Sequence, residues 1–171
     1  MASTLTVDNI EGATTASKVM IPGHVTNVVQ AIKTDKDTVT STSFVDVSGL
    51  SVSITPTATT SKILVIVNAH GGHDTANYML WNVVRDSTAI GQPTVAHSYP
   101  ATFNSYTGDS VSGGTAIQNN GMTLLDSPST TSATTYKVQV RTTGGTATVN
   151  GRPSNTNGIT VSTITVMEIA Q

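Results

Sequence analysis

Two histidines flank a glycine pair in the stretch NAHGGHD, and imidazole groups at this spacing suggest metal or acid–base chemistry. The chain has four histidines and no cysteine, so a zinc site would depend on imidazole and carboxylate ligands. Zinc needs three or four ligands. Asp74 could add a third ligand to the two histidines, or a trimer could bring three copies of His70 or His73 together on its axis. Because the chain near them offers no fuller ligand set, we interpret Gly71–Gly72 as the end of a buried strand whose histidines flank a turn. We expect neither a metal nor a cofactor.

A serine-rich stretch, GDSVSGG at residues 108–114, contains the Gly-Asp-Ser start of an esterase motif. Serine hydrolysis needs a histidine base that a carboxylate orients, and the candidates here are Ser110, Asp109 and His97. The esterase pattern places its histidine near the C-terminus, and no histidine follows His97. The sequence therefore favours a glycine- and serine-rich loop in a protein that is not an enzyme and has no catalytic residues. A polysaccharide hydrolase is the alternative from another class.

A third candidate site is a loop that combines aromatic rings with an amide, at Tyr99, Phe103, Asn104 and Tyr106. This composition is typical of adaptable binding loops. Sugar rings stack on such aromatics, and Asn and Thr side chains supply hydrogen bonds. The alternative is that the rings pack under the loop and hold it to the domain, since a long loop in a compact domain is either packed or functional. The sequence leaves both interpretations open.

The elements that position these residues are predicted to be β-strands. Of the 171 residues, 32 are Thr and 18 are Ser, and 11% are charged. Thr, Val and Ile fit the pleated surface of a sheet, whereas exposed helix faces normally use Glu, Lys, Arg and Ala. Short apolar runs alternate with clusters of Gly, Pro, Asn, Asp and Ser, which is typical of a sandwich or barrel. We therefore predict an all-β domain of roughly nine or ten strands.

One predicted strand, TYKVQVRTT (residues 135–143), shows the alternation most clearly. Side chains of a strand point alternately to its two faces. The pattern therefore directs Tyr136 and the two valines after it inward, and directs Lys137, Gln139 and Arg141 outward.

Three further features predict details of the domain. KILVIVNA (residues 62–69) is apolar at both sets of alternate positions, which predicts a strand buried on both faces. The pair Gly144–Gly145 predicts a tight hairpin, because such turns need positive φ angles. Trp81, the single tryptophan, is predicted to anchor the core.

The first 24 residues differ from the rest, because one strand-like piece precedes an irregular run too short to bury itself. We predict an extended N-terminal arm at residues 1–24 and a sandwich domain at residues 25–171 with an elaborated loop region at 88–120. Apolar side chains of the arm are the candidate anchor to a larger assembly: Leu5, Val7, Ile10, Val19 and Ile21.

Charge and hydrophobicity argue against several classes of function. The net charge is −2, and the eight Lys and Arg are scattered singly, so no basic patch for nucleic acid or anionic membranes is evident. No run approaches the roughly 20 apolar residues of a membrane span. The start, MASTLTVDNIEG, lacks the basic and apolar regions of a secretory signal. We expect no nucleic-acid partner, no membrane insertion and no secretion.

Three stretches carry a resemblance that covers nearly the whole chain outside region 88–120. They are LTVDNIEGATTASKVMIPGHV, SFVDVSGLSVSITPTATTSKILVIV, and LLDSPSTTSATTYKVQVRTTGGTATVN with the ending STITVMEIA. In these phrases the chain resembles small structural proteins of tailed bacteriophages, especially those of cyanobacteria and marine bacteria. The resemblance implies a tail-fibre-like virion protein with a jelly-roll β-sandwich similar to TNF or C1q, assembled as a homotrimer and without catalytic residues.

The leading functional hypothesis is a non-enzymatic virion surface protein made in the host cytoplasm. Its homotrimer would attach through the arm to other virion proteins of the tail or capsid and present loops to a host-surface glycan. A short chain with an arm also suits a capsid decoration (cement) protein that stabilises the head at three-fold positions. A carbohydrate-binding module outside any virion is a further alternative.

Overall fold

The chain folds into β-strands joined by turns and loops, as its composition predicts. A computed structural model describes residues 21–106, 116–154 and 157–171, and within these ranges the chain forms eleven strands and no helix. The strands are β1 (Val25–Lys33), β2 (Asp37–Val39), β3 (Val45–Ile54), β4 (Lys62–His73), β5 (Tyr78–Arg85), β6 (Thr88–Ile90), β7 (Phe103–Tyr106), β8 (Gln118–Asp126), β9 (Thr134–Thr142), β10 (Ala147–Val149) and β11 (Ser162–Ile169).

Two antiparallel sheets pack face to face into a jelly-roll-like sandwich. Sheet A has the order β1-β11-β4-β10-β2, with β8 on the other edge of β4. Sheet B has the order β3-β9-β5-β6, with β7 also paired to β5. The chain crosses between the sheets after β2, β3, β4, β7, β8 and β9, as expected for a jelly roll. The predicted all-β sandwich is confirmed, whereas residues 1–20 of the predicted arm lie outside the described residues.

The core lies between the sheets and follows the alternation of the strands. In β9 the inward side chains, Tyr136 and the two valines after it, are at most 1% exposed, and Lys137, Gln139 and Arg141 lie half-buried on the outer face. Both predicted sets of β9 side chains are therefore confirmed. Trp81 is fully buried, so the predicted core anchor is also confirmed.

Neither glycine pair forms the structure that the sequence predicts for it. β4 does not end at Gly71–Gly72 but continues to His73, and both glycines pair with β10. Gly145 does adopt a positive φ of 65°, but the turn at Gly144–Gly145 connects β9 of sheet B to β10 of sheet A. The predicted strand end and the predicted hairpin are therefore wrong.

Close packing explains why β4 carries glycine at positions 71 and 72. A Cβ on Gly71 would lie 2.5 Å from Sδ of Met79, and a Cβ on Gly72 would lie 2.5 Å from the backbone oxygen of Ala116. Both distances are shorter than a carbon atom tolerates. The pair therefore allows close approach of neighbouring segments within a continuous strand.

β4 is buried on one face and partly open on the other. Its inward residues Ile63, Val65 and Val67 are at most 2% exposed, whereas the outward Leu64 and Ile66 are half-buried. Within a single chain, the predicted burial is therefore confirmed for the inner face and does not extend to the outer face of sheet A.

A buried carboxylate on β11 holds the loop that joins β3 to β4. Glu168 is fully buried, and its Oε1 accepts hydrogen bonds from the backbone N–H of Thr57 (2.7 Å), the hydroxyl of Thr57 (2.6 Å) and the hydroxyl of Ser61 (2.7 Å). Burial by itself raises the pKa of Glu168, but the hydrogen bonds outweigh it and lower the pKa below its usual value. The side chain is therefore held in its charged form.

A second polar cluster joins the two sheets at the end of β8. Asp126 of sheet A accepts hydrogen bonds from Nη1 of Arg85 (2.8 and 2.9 Å) and from the hydroxyl of Tyr136 (2.6 Å), both in sheet B. Burial, together with the bond to Asp126, raises the pKa of Tyr136 far above its usual range. The phenol therefore stays protonated and donates to the carboxylate.

Candidate binding site

His70 and His73 lie on opposite faces of sheet A. Strand β4 is continuous between them, and a step of three residues along a strand reverses the direction of the side chain. His73 faces the core and is fully buried, whereas His70 is half-buried on the outer face. In the described ranges, no group of three or more His, Asp or Glu residues is placed to hold a metal ion. The spacing that suggested a shared site does not bring the two imidazoles together.

Both ring nitrogens of His73 are engaged in the core. The Thr142 hydroxyl donates to the carbonyl of Gly144 (2.5 Å) and must therefore accept the bond from Nε2 of His73 (2.6 Å). The other ring nitrogen, Nδ1, accepts the backbone N–H of Thr75 (3.2 Å). Oδ1 of Asp74 also lies 3.1 Å from Nδ1, so both ring nitrogens have partners. His73 is a structural residue with no free nitrogen for chemistry.

Two of the four predicted loop residues come together on the outer face of sheet B. Tyr99 and Tyr106 are 42% and 45% exposed, and both pack on Tyr78 of β5, with ring centroids 5.5 Å and 4.7 Å away. Tyr106 is also the cross-strand partner of Tyr78. These residues form a ring cluster on a rigid strand.

The other two predicted loop residues have different places. Phe103 faces the core, where it stacks on Trp81 with centroids 5.9 Å apart and planes 6° from parallel. Asn104 is exposed and lies opposite Leu80 in β5. For Phe103, the packed interpretation of the loop is correct.

Arginine extends the ring cluster toward β3. The guanidinium of Arg141 lies over the rings of Phe44 and Tyr99, with its Cζ atom 5.1 Å and 5.9 Å from the two centroids. Both distances are within the range of cation–π contacts. We call the resulting row of five side chains the tyrosine–arginine patch; it consists of Phe44, Arg141, Tyr99, Tyr78 and Tyr106.

Register explains why the sequence did not predict the whole patch. Arg141 lies opposite Leu80 in the pairing of β9 with β5, and Tyr106 lies opposite Tyr78 in the pairing of β7 with β5. Alternation in β9 predicted that Arg141 faces outward, but no local signal indicates which strands lie beside it. Phe44, Tyr78 and Arg141 were therefore missed.

Charges beside the patch are mostly paired. Lys137 binds Oδ2 of Asp46 at 2.7 Å, and Gln139 donates to Oδ1 of the same carboxylate at 2.7 Å. These hydrogen bonds, Lys137 first, lower the pKa of Asp46. Arg141 donates from Nη1 to the carbonyl of Thr42 at 3.2 Å, and none of the described carboxylates forms an ion pair with it.

The remaining predicted site residues fall mostly outside the described part of the chain. Of the hydrolase candidates, Asp109 and Ser110 lie outside it, and His97 is exposed with its Nδ1 accepting the N–H of Tyr99 at 3.2 Å. Of the predicted anchor, Ile21 is described and is 41% exposed. The other four anchor residues also lie outside the described ranges: Leu5, Val7, Ile10 and Val19.

The outer face of sheet A carries a second distinct surface. Four apolar side chains lie in direct register across four neighbouring strands: Val28 of β1 opposite Met167 of β11, Met167 opposite Leu64 of β4, and Leu64 opposite Leu125 of β8. Val28 and Leu125, at the two ends, are 53% and 58% exposed. With strands about 4.8 Å apart, this apolar row is about 14 Å long.

No deep pocket opens in the described residues. The same ranges contain no helix that is long and apolar enough to cross a membrane. The candidate sites are therefore open surfaces: the tyrosine–arginine patch on sheet B and the apolar row on sheet A.

Comparison with known proteins gives a distant structural similarity. No protein-family model matches the chain, and no curated protein matches it. Among solved structures, the TNF protein Eiger from S. frugiperda is similar, with 9% identity over 84% of this chain and 94% of that chain and a TM-score of 0.39. The jelly-roll-like sandwich of this chain is therefore established by its own strand pairing.

Proposed function

We propose that this chain is a non-enzymatic surface protein of a bacteriophage virion, a tail-fibre-like homotrimer that attaches the particle to a host-surface glycan. The N-terminal arm joins the protein to other virion proteins, and the sandwich presents the binding surface. The virion context comes from the resemblance of the sequence to phage structural proteins.

One observation carries the proposal: the two outer faces of the sandwich have opposite character. Sheet A presents the apolar row, which extends from Val28 to Leu125, and sheet B presents the tyrosine–arginine patch. Contiguous exposed apolar side chains mark surfaces of association. Exposed tyrosines on a rigid scaffold are suited to ligand contact at low entropic cost. An attachment protein that assembles with itself needs both kinds of face.

The apolar row supports self-association. Its residues lie on four adjacent strands, and the next row across the same strands is more polar, with Gln30, Thr165, Ile66 and Thr123 in register. Apolar side chains bordered by polar ones are common at protein interfaces. Closed cyclic assemblies use such faces without leaving them open to solvent, and we propose a trimer.

The location of the protein on the intact particle tests the proposal. Antibodies against the sandwich would be applied to purified particles of the phage that encodes the chain, and electron microscopy would locate the label. We expect label on the tail. Label on the head would support the capsid decoration function instead, and a chain absent from purified particles would overturn the virion assignment.

A further inference from the structure

We infer that the tyrosine–arginine patch binds a saccharide that carries a carboxylate, of the uronic-acid or sialic-acid type. The inference rests on the proposed attachment function and narrows its ligand from glycans in general to acidic glycans.

The charge of Arg141 is the first argument. Its neighbour on the outer face of β9, Lys137, is neutralised by Asp46 at 2.7 Å, and Gln139 occupies the second oxygen of that carboxylate. Arg141 has no carboxylate partner within the described ranges, and its one described hydrogen bond goes to the Thr42 carbonyl. A half-buried cation without a carboxylate partner attracts an anion, and guanidinium and carboxylate groups match in planar geometry.

Preorganisation of Arg141 is the second argument. The guanidinium lies between the rings of Phe44 and Tyr99, at 5.1 Å and 5.9 Å, and Nη1 is held by Thr42. A side chain fixed before binding loses little conformational freedom when a ligand arrives. The patch therefore offers a cation in a defined position rather than a mobile surface charge.

The adjacency of cation and rings is the third argument. Tyr99 contacts Arg141 on one side and Tyr78 on the other, and Tyr106 continues the row. The hydroxyls of Tyr99 and Tyr106 have no hydrogen-bond partner among the described residues, and both side chains are nearly half exposed. Tyrosine combines an apolar face with a polar tip. One sugar unit can therefore stack on Tyr99 while its carboxylate contacts Arg141.

The number of cations favours a carboxylate over a phosphate. Phosphate groups carry nearly two negative charges at neutral pH and accept several charged hydrogen bonds, and nucleic acid needs a series of phosphate contacts. The patch has a single unpaired cation, which balances a single negative charge. Its chemistry therefore fits an acidic sugar.

Binding of defined oligosaccharides by the purified full-length protein tests the inference. The probes are oligomers of galacturonate, guluronate and sialic acid, each beside its carboxyl-reduced neutral form, and a phosphorylated oligomannose. We expect at least one acidic oligomer to bind at least about tenfold more tightly than its reduced form. Arg141→Gln should abolish that preference. Lys137→Gln removes the same charge from the same strand face and should change the affinity by less than about threefold.

Several results would overturn the inference. If Arg141→Gln and Lys137→Gln lose equal affinity for the acidic oligomers, the binding is general charge attraction. If the protein prefers the phosphorylated probe, the patch is a phosphate site. Equal binding of acidic and reduced forms, or binding of none of the acidic oligomers, would overturn acid recognition. The proposed virion function would still stand or fall by the labelling of purified particles. Thermal unfolding checks that each variant is folded. If Arg141→Gln unfolds, Arg141→Lys, which keeps the charge but lacks the planar fork, should weaken acid binding at least about fivefold.

Discussion

His73 has both ring nitrogens bonded in the core, so we predict that His73→Ala destabilises the protein. The change leaves a cavity and removes the partners of Thr142 and of the Thr75 N–H. We expect a loss of about 2–4 kcal/mol in the free energy of unfolding, measured with urea. His97→Ala is the control, since His97 is exposed, and it should cost less than about 0.5 kcal/mol. Equal small losses in both variants would contradict the structural function of His73.

Glu168 should make stability depend on pH in the acid range. Its pKa is lowered in the folded protein, so its contribution is complete above the pKa of the unfolded chain, near 4.5, and is lost as the pH falls through the lower folded value. We therefore expect stability to decline as the pH falls below about 5.

The variant Glu168→Gln tests this contribution. The amide keeps the size of the side chain but loses the charge that strengthens the bonds from Thr57 and Ser61. At pH 7 we expect the variant to lose about 1–3 kcal/mol of its free energy of unfolding. Its stability should also decline less steeply in acid than that of the wild type. Urea unfolding of both proteins between pH 3 and pH 7 measures this. Parallel pH profiles would show that another group causes the decline.

At the scale of the strand, the two glycines of β4 should respond differently to the same substitution. A Cβ on Gly71 meets the end of the Met79 side chain, which can move, whereas a Cβ on Gly72 meets backbone oxygens of Ala116 and Gly151 at 2.5 Å and 2.9 Å. We predict that Gly72→Ala lowers the free energy of unfolding by about 2–4 kcal/mol and that Gly71→Ala lowers it by about half as much. Calorimetric unfolding of both variants decides, and a larger loss for Gly71→Ala would contradict the assignment of these contacts.

Strand alternation made β9 predictable, because three inward and three outward residues repeat with period two. The end of β4 was not predictable from glycine alone, since the same pair serves a turn or a close approach of backbones. Whether His70 and His73 share a site depended on that choice, because a continuous strand puts them on opposite faces. The sequence predicted only Tyr99 and Tyr106 of the patch, because strand pairing over long distances in the chain brings Arg141 and Tyr78 beside Tyr99.

At the scale of the molecule, composition was sufficient for the all-β sandwich. The abundance of Thr and Val and the repeated turn residues both favour sheets, whereas the order of strands within each sheet depends on contacts that no local pattern encodes. The exposed apolar row was likewise visible only after β1, β11, β4 and β8 had been aligned.

One substitution on this row should disrupt assembly without unfolding the chain. Leu125 is 58% exposed at one end of the row, so Leu125→Lys places a charge in the proposed interface while leaving the core intact. We predict that this variant is monomeric. Val95→Lys is the control, because Val95 is 71% exposed and lies in the loop between β6 and β7, and it should assemble as the wild type does. A Leu125→Lys protein that keeps its assembly would exclude the row as the interface.

Light scattering after size-exclusion chromatography measures the mass of the purified wild-type protein in solution and so tests the proposed homotrimer. We expect a particle of about three times the 17.6 kDa mass of the chain. A particle of 17.6 kDa at micromolar concentrations would contradict it.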